Sequence, residues 1–217
     1  MIRFRPFPVV LAAPSGAGKT SLARALVERW PDMVFSLSAT TRPPRPGEVN
    51  GRDYEFVDDA GFDGLVADGQ LLEFAEVHGR RYGTLRRGVD AALGRGHTVV
   101  LDIDVQGAQA VRQVLPDAVL VFVLPPSVAE MRRRLTERGS GEDAGELATR
   151  LRTARKELEA VASFDYVIEN DEFELAIRRL EAVIAAERAR AGRLDGLDVT
   201  LAALRADMDQ ILETGEV

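Results

Sequence analysis

The stretch "AAPSGAGKTSLARAL", residues 12–26, places a glycine-containing turn between an apolar run and an amphipathic helix. Glycines let backbone amides approach an anion, and a helix N-terminus adds positive potential there. Lys19 and Lys156 are the only lysines among 28 basic side chains, which favours a need for a compact ammonium at position 19. The stretch predicts a phosphate-binding loop after a buried strand. The alternative is a glycine-rich helix start with a solvated lysine.

The loop suggests a role for each of its polar groups. We expect the backbone amides to hold phosphate oxygens, Lys19 to reach the β- and γ-phosphates of a bound nucleotide, and the Thr20 hydroxyl to bind Mg²⁺. The predicted ATP-binding residues lie in the loop and the first helical turn: Pro14, Ser15, Gly16, Ala17, Gly18, Lys19, Thr20 and Ser21. A phosphate loop alone does not distinguish ATPases, GTPases and kinases.

Apolar runs alternate with amphipathic stretches along the rest of the chain. Near-continuous hydrophobic runs are typical of parallel strands buried on both faces. The predicted strands are 8–13, 98–103, 118–124 and 166–168, and the predicted helices are 19–29, 106–114, 128–137, 146–161 and 172–189. This alternation predicts a three-layer α/β/α fold with a parallel central sheet.

Two segments interrupt the alternation. Residues 36–96 carry shorter apolar pieces, of which "DYEFV" and "LLEFAEV" predict half-exposed strands of a small, mixed α+β lobe with antiparallel strands. Residues 138–145, "RGSGEDAG", are polar and glycine-rich, which predicts a mobile flap.

The composition excludes several classes of protein. The 217-residue chain has no cysteine, which excludes disulfides and thiolate metal sites. Its net charge of −7 argues against broad nucleic-acid binding, so a local cluster must hold any anionic ligand. No apolar run approaches the roughly 20 residues of a membrane span. We therefore expect a cytoplasmic protein that binds neither nucleic acid nor a membrane.

Four further motifs follow the loop in order: "SLSATTRPPRPGEVNGRDYEF", "LLEFAEVHGRRYGT", "VVLDIDVQGAQAV" and "DYVIEND". Together with the loop they resemble the guanylate kinase family, whose members phosphorylate GMP with ATP. The resemblance spans residues 8–189. It implies a core (8–35, 97–137 and 162–189), a GMP-binding lobe (36–96) and a lid with its flanking helix (138–161).

The resemblance also implies a GMP site. The family binds the GMP phosphate at the positions of Arg42, Arg45, Tyr54 and Tyr82, and guanidinium forks suit phosphate oxygens. The family's guanine reader matches Glu73, with Ser38, Thr84 and Asp104 as helpers. A carboxylate accepts from both N1–H and the N2 amino group of guanine, whereas adenine has no N1 proton to donate.

The remaining predicted residues surround the transferred phosphoryl group. Asp102 and Asp104 end a predicted strand, where Asp102 would orient Mg²⁺ and Asp104 would face GMP; a structural capping role for one of them stays open. Arg138 and Arg150 are predicted, with Lys19, to be catalytic. Asn170 is predicted to contact adenine.

The C-terminal residues 190–217 lie beyond the resemblance. Leu197, Leu201, Leu204, Met208 and Ile211 recur at four- and three-residue intervals, which predicts a helix with a narrow apolar stripe. Docking on the chain's own core, a contact with another subunit and disorder remain alternatives. The protein itself is thus a monomer or a homo-oligomer with a possible contact through this helix.

The resemblance thus implies a kinase that converts MgATP and GMP (or dGMP) to ADP and GDP, in purine salvage and GTP supply. Two alternatives stay open. One is a non-catalytic binding module with the same fold, and the other is a kinase for a different phosphorylated acceptor.

Overall fold

The computed structural model describes residues 2–77, 79–137 and 144–214 of the chain. The strands are β1 Arg3–Phe4, β2 Pro8–Ala12, β3 Met33–Phe35, β4 Ser38–Thr40, β5 Glu55–Phe56, β6 Leu71–Val77, β7 Arg80–Leu85, β8 Thr98–Asp102, β9 Val119–Leu124, β10 Tyr166–Glu169 and β11 Leu194–Asp195. The helices are α1 Lys19–Arg29, α2 Asp59–Ala67, α3 Arg86–Gly94, α4 Val105–Val114, α5 Val128–Glu137, α6 Ala144–Glu159, α7 Phe173–Ala189 and α8 Leu197–Thr214.

The central sheet is parallel, with strand order β10-β9-β2-β8-β3. Alternate residues of β2 enter different packing layers. Val9 and Leu11 join the cluster that contains α1 and α7, whereas Val10 and Ala12 join the cluster that contains α3 and α4. Every residue of β2 is buried, which explains why its sequence is continuously apolar. The predicted three-layer α/β/α fold with a parallel central sheet is confirmed.

The second sheet, with order β5-β4-β7-β6, lies in residues 38–85 and has its own apolar cluster around Phe62. β6 and β7 form an antiparallel hairpin, as predicted. The prediction of an antiparallel partner for "DYEFV" is wrong, because β5 pairs with β4 in parallel. α3 lies within the predicted lobe segment, yet Val89 and Ala92 pack against the central sheet.

Residues 190–195 pack against the core. β11 pairs with β1 in an antiparallel ribbon that joins Arg3 to Asp195 and Phe4 to Leu194. Arg193 is buried, its Nε donates to Glu187 Oε2 at 2.9 Å, and one Nη donates to the Asp117 carbonyl at 2.9 Å. Only α8 therefore extends from this end of the described chain without burying its residues.

The residues of the predicted apolar stripe lie on helix α8, where Leu197 is half-buried and the rest of the stripe has no cover within the described chain. Leu201, Leu204, Met208 and Ile211 each remain at least 40% exposed. Docking of residues 201–211 on the chain's own core is thus not observed among the described residues, whereas a contact with another subunit and disorder stay alternatives. No helix in the described ranges combines the length and apolar character needed to cross a bilayer.

Candidate active site

The phosphate loop connects the buried strand β2 to α1, as its sequence predicts. Gly16 and Gly18 have φ of +86° and +89°, a backbone conformation that glycine adopts without the strain of a side chain. Gly18 is the N-cap of α1, and no described side chain caps the first α1 amides. These amides are therefore available to an anion.

Two side chains from later in the chain, Asn170 after β10 and Arg134 on α5, hold the phosphate loop. The Asn170 amide donates to the Ala17 carbonyl at 2.7 Å, and Arg134 donates to the same carbonyl at 3.2 Å. Asn170 is only 3% exposed, and a Cβ on Gly18 would approach its Nδ2 to 2.4 Å. This placement supports a role for Asn170 behind the loop, and the adenine contact stays a prediction.

Lys19 and Thr20 both meet Asp102 at the end of β8. The Lys19 ammonium donates to the Ile103 carbonyl, and its Nζ lies 2.7 Å from Asp102 Oδ1, an ion pair whose angles fall outside hydrogen-bond geometry. The Thr20 hydroxyl donates to Asp102 Oδ2 at 2.5 Å. The C-terminal edge of the parallel sheet thus brings the predicted phosphate and metal groups together.

Glu73 lies on β6 and is buried at 7% exposure. Its Oε1 accepts from the Thr84 amide at 3.1 Å and from the Thr84 hydroxyl at 2.6 Å, across the β6–β7 hairpin. Burial raises the pKa of the Glu73 carboxyl, and the two bonds from Thr84 oppose that rise. A buried acceptor that is fixed on one oxygen leaves the other oxygen for a partner with hydrogen-bond donors.

Asp104 has the capping role that the sequence left open for one of the two aspartates. Its Oδ1 accepts from the Gly107 amide at 2.7 Å and so caps the N-terminus of α4. Asp104 also lines the central cavity, so capping does not remove it from the predicted substrate site.

Arg42 lies at the rim of the second sheet, near the rings of Tyr54 and Phe56. Its two Nη atoms donate to the two carboxylate oxygens of Glu48, each at 2.9 Å. The hydrogen bonds from Arg42 lower the pKa of Glu48, while burial raises the pKa of Tyr54 to about 12. The guanidinium is therefore held with its planar fork already paired to an anion.

One cavity lies between the two sheets and gathers predicted residues from both. The predicted residues that line it are Lys19, Thr20, Ser38, Tyr54, Glu73, Tyr82, Asp102 and Asp104. Thr84 is not a lining residue but donates to Glu73, which is one, whereas Arg45 is exposed in its loop. Arg150 lies on α6 and is not among the described lining residues. Of the predicted flap 138–145, Arg138 and the rest of residues 138–143 lie outside the described residues, and residues 144 and 145 begin α6 instead of belonging to a flap.

Sequence reasoning missed two acidic residues near this site. One is Glu48, the partner of Arg42. The other is Glu157 on α6, whose Oε2 is buried and has no hydrogen-bond partner among the described residues. Burial, reinforced by Asp104 and opposed by Lys19, raises the pKa of Glu157 to about 7. The one feature of the sequence that could have pointed to Glu157 is its spacing: it lies seven residues, or two helical turns, after the predicted catalytic Arg150.

Comparisons with known proteins agree with this geometry. A sequence model of the guanylate kinase family matches residues 5–187. The guanylate kinase of Myxococcus xanthus is 49% identical over 188 residues, covering 86% of this chain and 90% of that protein. The guanylate kinase of Thermus thermophilus is 44% identical over 207 residues, covering 94% of this chain and 93% of that protein.

A solved structure extends the likeness to three dimensions. The crystal structure of guanylate kinase from Anaplasma phagocytophilum superposes with a TM-score of 0.79 at 34% identity, covering 93% of this chain and 96% of that one. The sequence match, the shared fold and a phosphate loop facing a buried carboxylate agree, and this chain belongs to the guanylate kinase family.

Proposed function

We propose that this chain transfers the γ-phosphoryl group of ATP directly to the phosphate of GMP, giving ADP and GDP, and that it accepts dGMP as well. The observation that carries the proposal is the cavity between the two sheets, which is lined by Lys19 and Thr20 on one side and by Glu73 on the other. A phosphate-binding loop and a buried carboxylate reader within one cavity suit a nucleotide donor and a guanine acceptor.

On the ATP side, the phosphates would bind to the backbone amides and the lysine of the loop. The uncapped amides of α1 would hold phosphate oxygens, and Lys19 would exchange its contacts with Asp102 and Ile103 for the β- and γ-phosphates. Lysine suits this exchange because its compact ammonium rotates on a flexible stem. Asn170 and Arg134 support the proposal by fixing the loop carbonyl from behind.

The residues present fit a magnesium ion. Mg²⁺ prefers oxygen ligands and is usually held by one or two protein groups together with substrate phosphates and water. Thr20 and Asp102 place two such oxygens beside the loop, joined by a hydrogen bond that would open to admit the ion. When bound there, Mg²⁺ would neutralise charge on the phosphates. We therefore include Thr20 and Asp102 as its protein ligands in the proposal.

On the GMP side, the proposal assigns Arg42, Arg45, Tyr54 and Tyr82 to the phosphate. Arg42 would share or exchange its Glu48 partner for a phosphate, because both present two oxygens to the same fork. Glu73, with Ser38, Thr84 and Asp104, would read guanine, and this assignment is supported by Glu73 Oε2, for which the described residues supply no hydrogen bond.

The chemistry needs no general base. The second pKa of a phosphate monoester is near 6, so the GMP phosphate is largely dianionic at neutral pH and is already a nucleophile. Catalysis then consists of alignment and stabilisation of the transferred charge. We assign that role to Lys19, together with Arg138 and Arg150.

The proposal also covers the metabolic role of the protein, its location and its association with other subunits. The product GDP suits a place in purine salvage and GTP supply, and both substrates are nucleotides of the cytoplasm, where we place the protein. The uncovered stripe of α8 supports a contact between subunits as an alternative to a monomer.

A coupled assay of ADP release tests the function. The wild-type chain is expected to turn over with GMP and dGMP in the presence of Mg²⁺, and much more slowly with AMP, CMP or UMP. Turnover should stop when EDTA removes the metal. A preference for another acceptor would favour the second kinase alternative, and GMP binding without ADP release would favour the non-catalytic module.

A further inference from the structure

Gly107 lies in the first turn of α4, directly beside the carboxylate that the proposed function assigns to guanine. Its backbone amide donates to Asp104 Oδ1, as part of the helix cap. Gly107 is not among the glycines with positive φ, so its backbone conformation is open to any residue. Glycine in a helix is less favourable than alanine, because it loses more backbone freedom on folding. A reason other than backbone conformation must therefore favour glycine at this position.

The space around Gly107 supplies that reason. A Cβ built on Gly107 would lie 2.7 Å from Glu73 Oε2 and 3.1 Å from Glu73 Cδ. It would also lie 3.1 Å from Asp104 Oδ1. The shortest of these separations is closer than a methyl group and a carboxylate oxygen tolerate, so the Glu73 carboxylate would have to move.

Glu73 has little freedom to move without losing partners. Its Oε1 is fixed by the amide and the hydroxyl of Thr84, and its side chain is buried. A displaced carboxylate would either give up the Thr84 bonds or advance into the cavity that Glu73 lines. Each movement changes where Oε2 meets a ligand.

We propose that Gly107 is a positioning residue for base recognition: the missing side chain at 107 sets the depth at which the Glu73 carboxylate lies in the cavity. This inference rests on the proposed function, in which Glu73 reads guanine. α4 thus contributes to specificity because Gly107 has no side chain and so leaves room for Glu73 of the second sheet.

The test is Gly107→Ala, with Gly88→Ala as its matched control. Gly88 lies in α3, and a Cβ there would meet nothing within 4 Å, so both variants add one methyl group to a helix. We expect Gly107→Ala to raise the KM for GMP at least tenfold and to reduce the preference for GMP over AMP. The KM for ATP should stay near that of the control.

A double variant identifies the atom through which Gly107 acts. Glu73→Ala removes the carboxylate that the new methyl group would meet. Gly107→Ala should therefore leave the dissociation constant for GMP unchanged when it is added to Glu73→Ala. A persisting effect in that background, including a loss of folding, would assign the cost to Asp104 or to the helix and overturn the inference.

The outcomes separate this inference from the function on which it rests. If the wild-type chain phosphorylates GMP and Glu73→Ala loses base preference, but Gly107→Ala behaves like Gly88→Ala, only the role of Gly107 is wrong. If the wild-type chain leaves GMP unphosphorylated, the proposed function is wrong and the inference falls with it.

Discussion

The two sides of the cavity are built in opposite ways. The phosphate side is one continuous stretch, in which the glycines of residues 16–18 shape the loop and Lys19 and Thr20 follow immediately. The base side is assembled from β6, β7 and α4. Glu73 of β6 accepts a hydrogen bond from Thr84 of β7 and fills the space beside Gly107 of α4. Backbone amides serve any phosphate, whereas a selective base site needs side chains fixed in depth. The difference predicts that damage to one side spares binding on the other.

The largest effect is expected at Lys19. Lys19→Ala should lower kcat by several orders of magnitude, because the charge that faces the transferred phosphoryl group is lost. GMP should still bind, since its proposed partners other than Asp104 lie in or beside the second sheet, and calorimetry with GMP alone measures this. Lys19→Arg should also fail, because a planar fork does not replace a compact ammonium in the loop. Near-normal turnover of the arginine variant would contradict that explanation.

A smaller and more selective effect is expected at Glu73. Glu73→Gln keeps one acceptor oxygen but adds a donor and removes the charge, so the preference for GMP over AMP should shrink at least tenfold. The ratio of kcat/KM for the two nucleotides measures it, and the KM for ATP serves as the internal control. An unchanged ratio would mean that another residue reads the base.

Glu157 on α6 responds to charges from both sides of the cavity: burial contributes most to the rise of its pKa, Asp104 adds to it and Lys19 opposes it. A carboxyl with a folded-state pKa of about 7 loses stabilising free energy as the pH rises from its ordinary value, near 4.5, through 7. Glu157→Gln cannot ionise. Its Tm should therefore exceed that of the wild type at pH 8 and match it near pH 4.5.

The exposed Glu159 on the same helix provides the control, and Glu159→Gln should show no such pH-dependent gain. Equal Tm differences for Glu157→Gln at both pH values would show that its burial carries no ionisation cost.

The smallest effect on turnover is expected from removal of α8. Because Arg193 and β11 pack on the core, the cut belongs after Gly196 rather than before these residues. A chain that ends there should keep its kcat and both KM values, since α8 contributes nothing to either side of the cavity. Light scattering would report whether mass is lost with the helix. Abolished turnover in a chain that is folded by circular dichroism would place α8 in the active site.

The contrast between the two sides also explains which features the sequence predicts. The loop is local, so Gly16 to Thr20 indicate its conformation and chemistry together. The alternation around Glu73 predicts a side chain on one face of a strand, and the hairpin confirms the strand. The central strands are equally evident, because buried parallel strands are continuously apolar.

What the sequence alone does not predict is contact between distant segments. Asn170 meets Ala17 across 153 positions, and nothing local to "VIEND" indicates a brace rather than a ligand contact. The three-residue β3 is too short for a periodic pattern, and the direction of β5 depends on its neighbour. Gly107 shows the same limit, since its environment is a residue 34 positions earlier.

The β1–β11 ribbon makes the two ends of the catalytic body spatial neighbours, with Arg3 opposite Asp195. The order of the segments along the chain could therefore be changed while their packing stays the same. A circular permutant lacking α8 would join position 196 to position 2 through a few linking residues. It would open at Gly69, an exposed turn between α2 and β6, and preserve every strand pairing of both sheets. In such a chain the hairpin that carries Glu73 would leave the ribosome first and the phosphate loop much later.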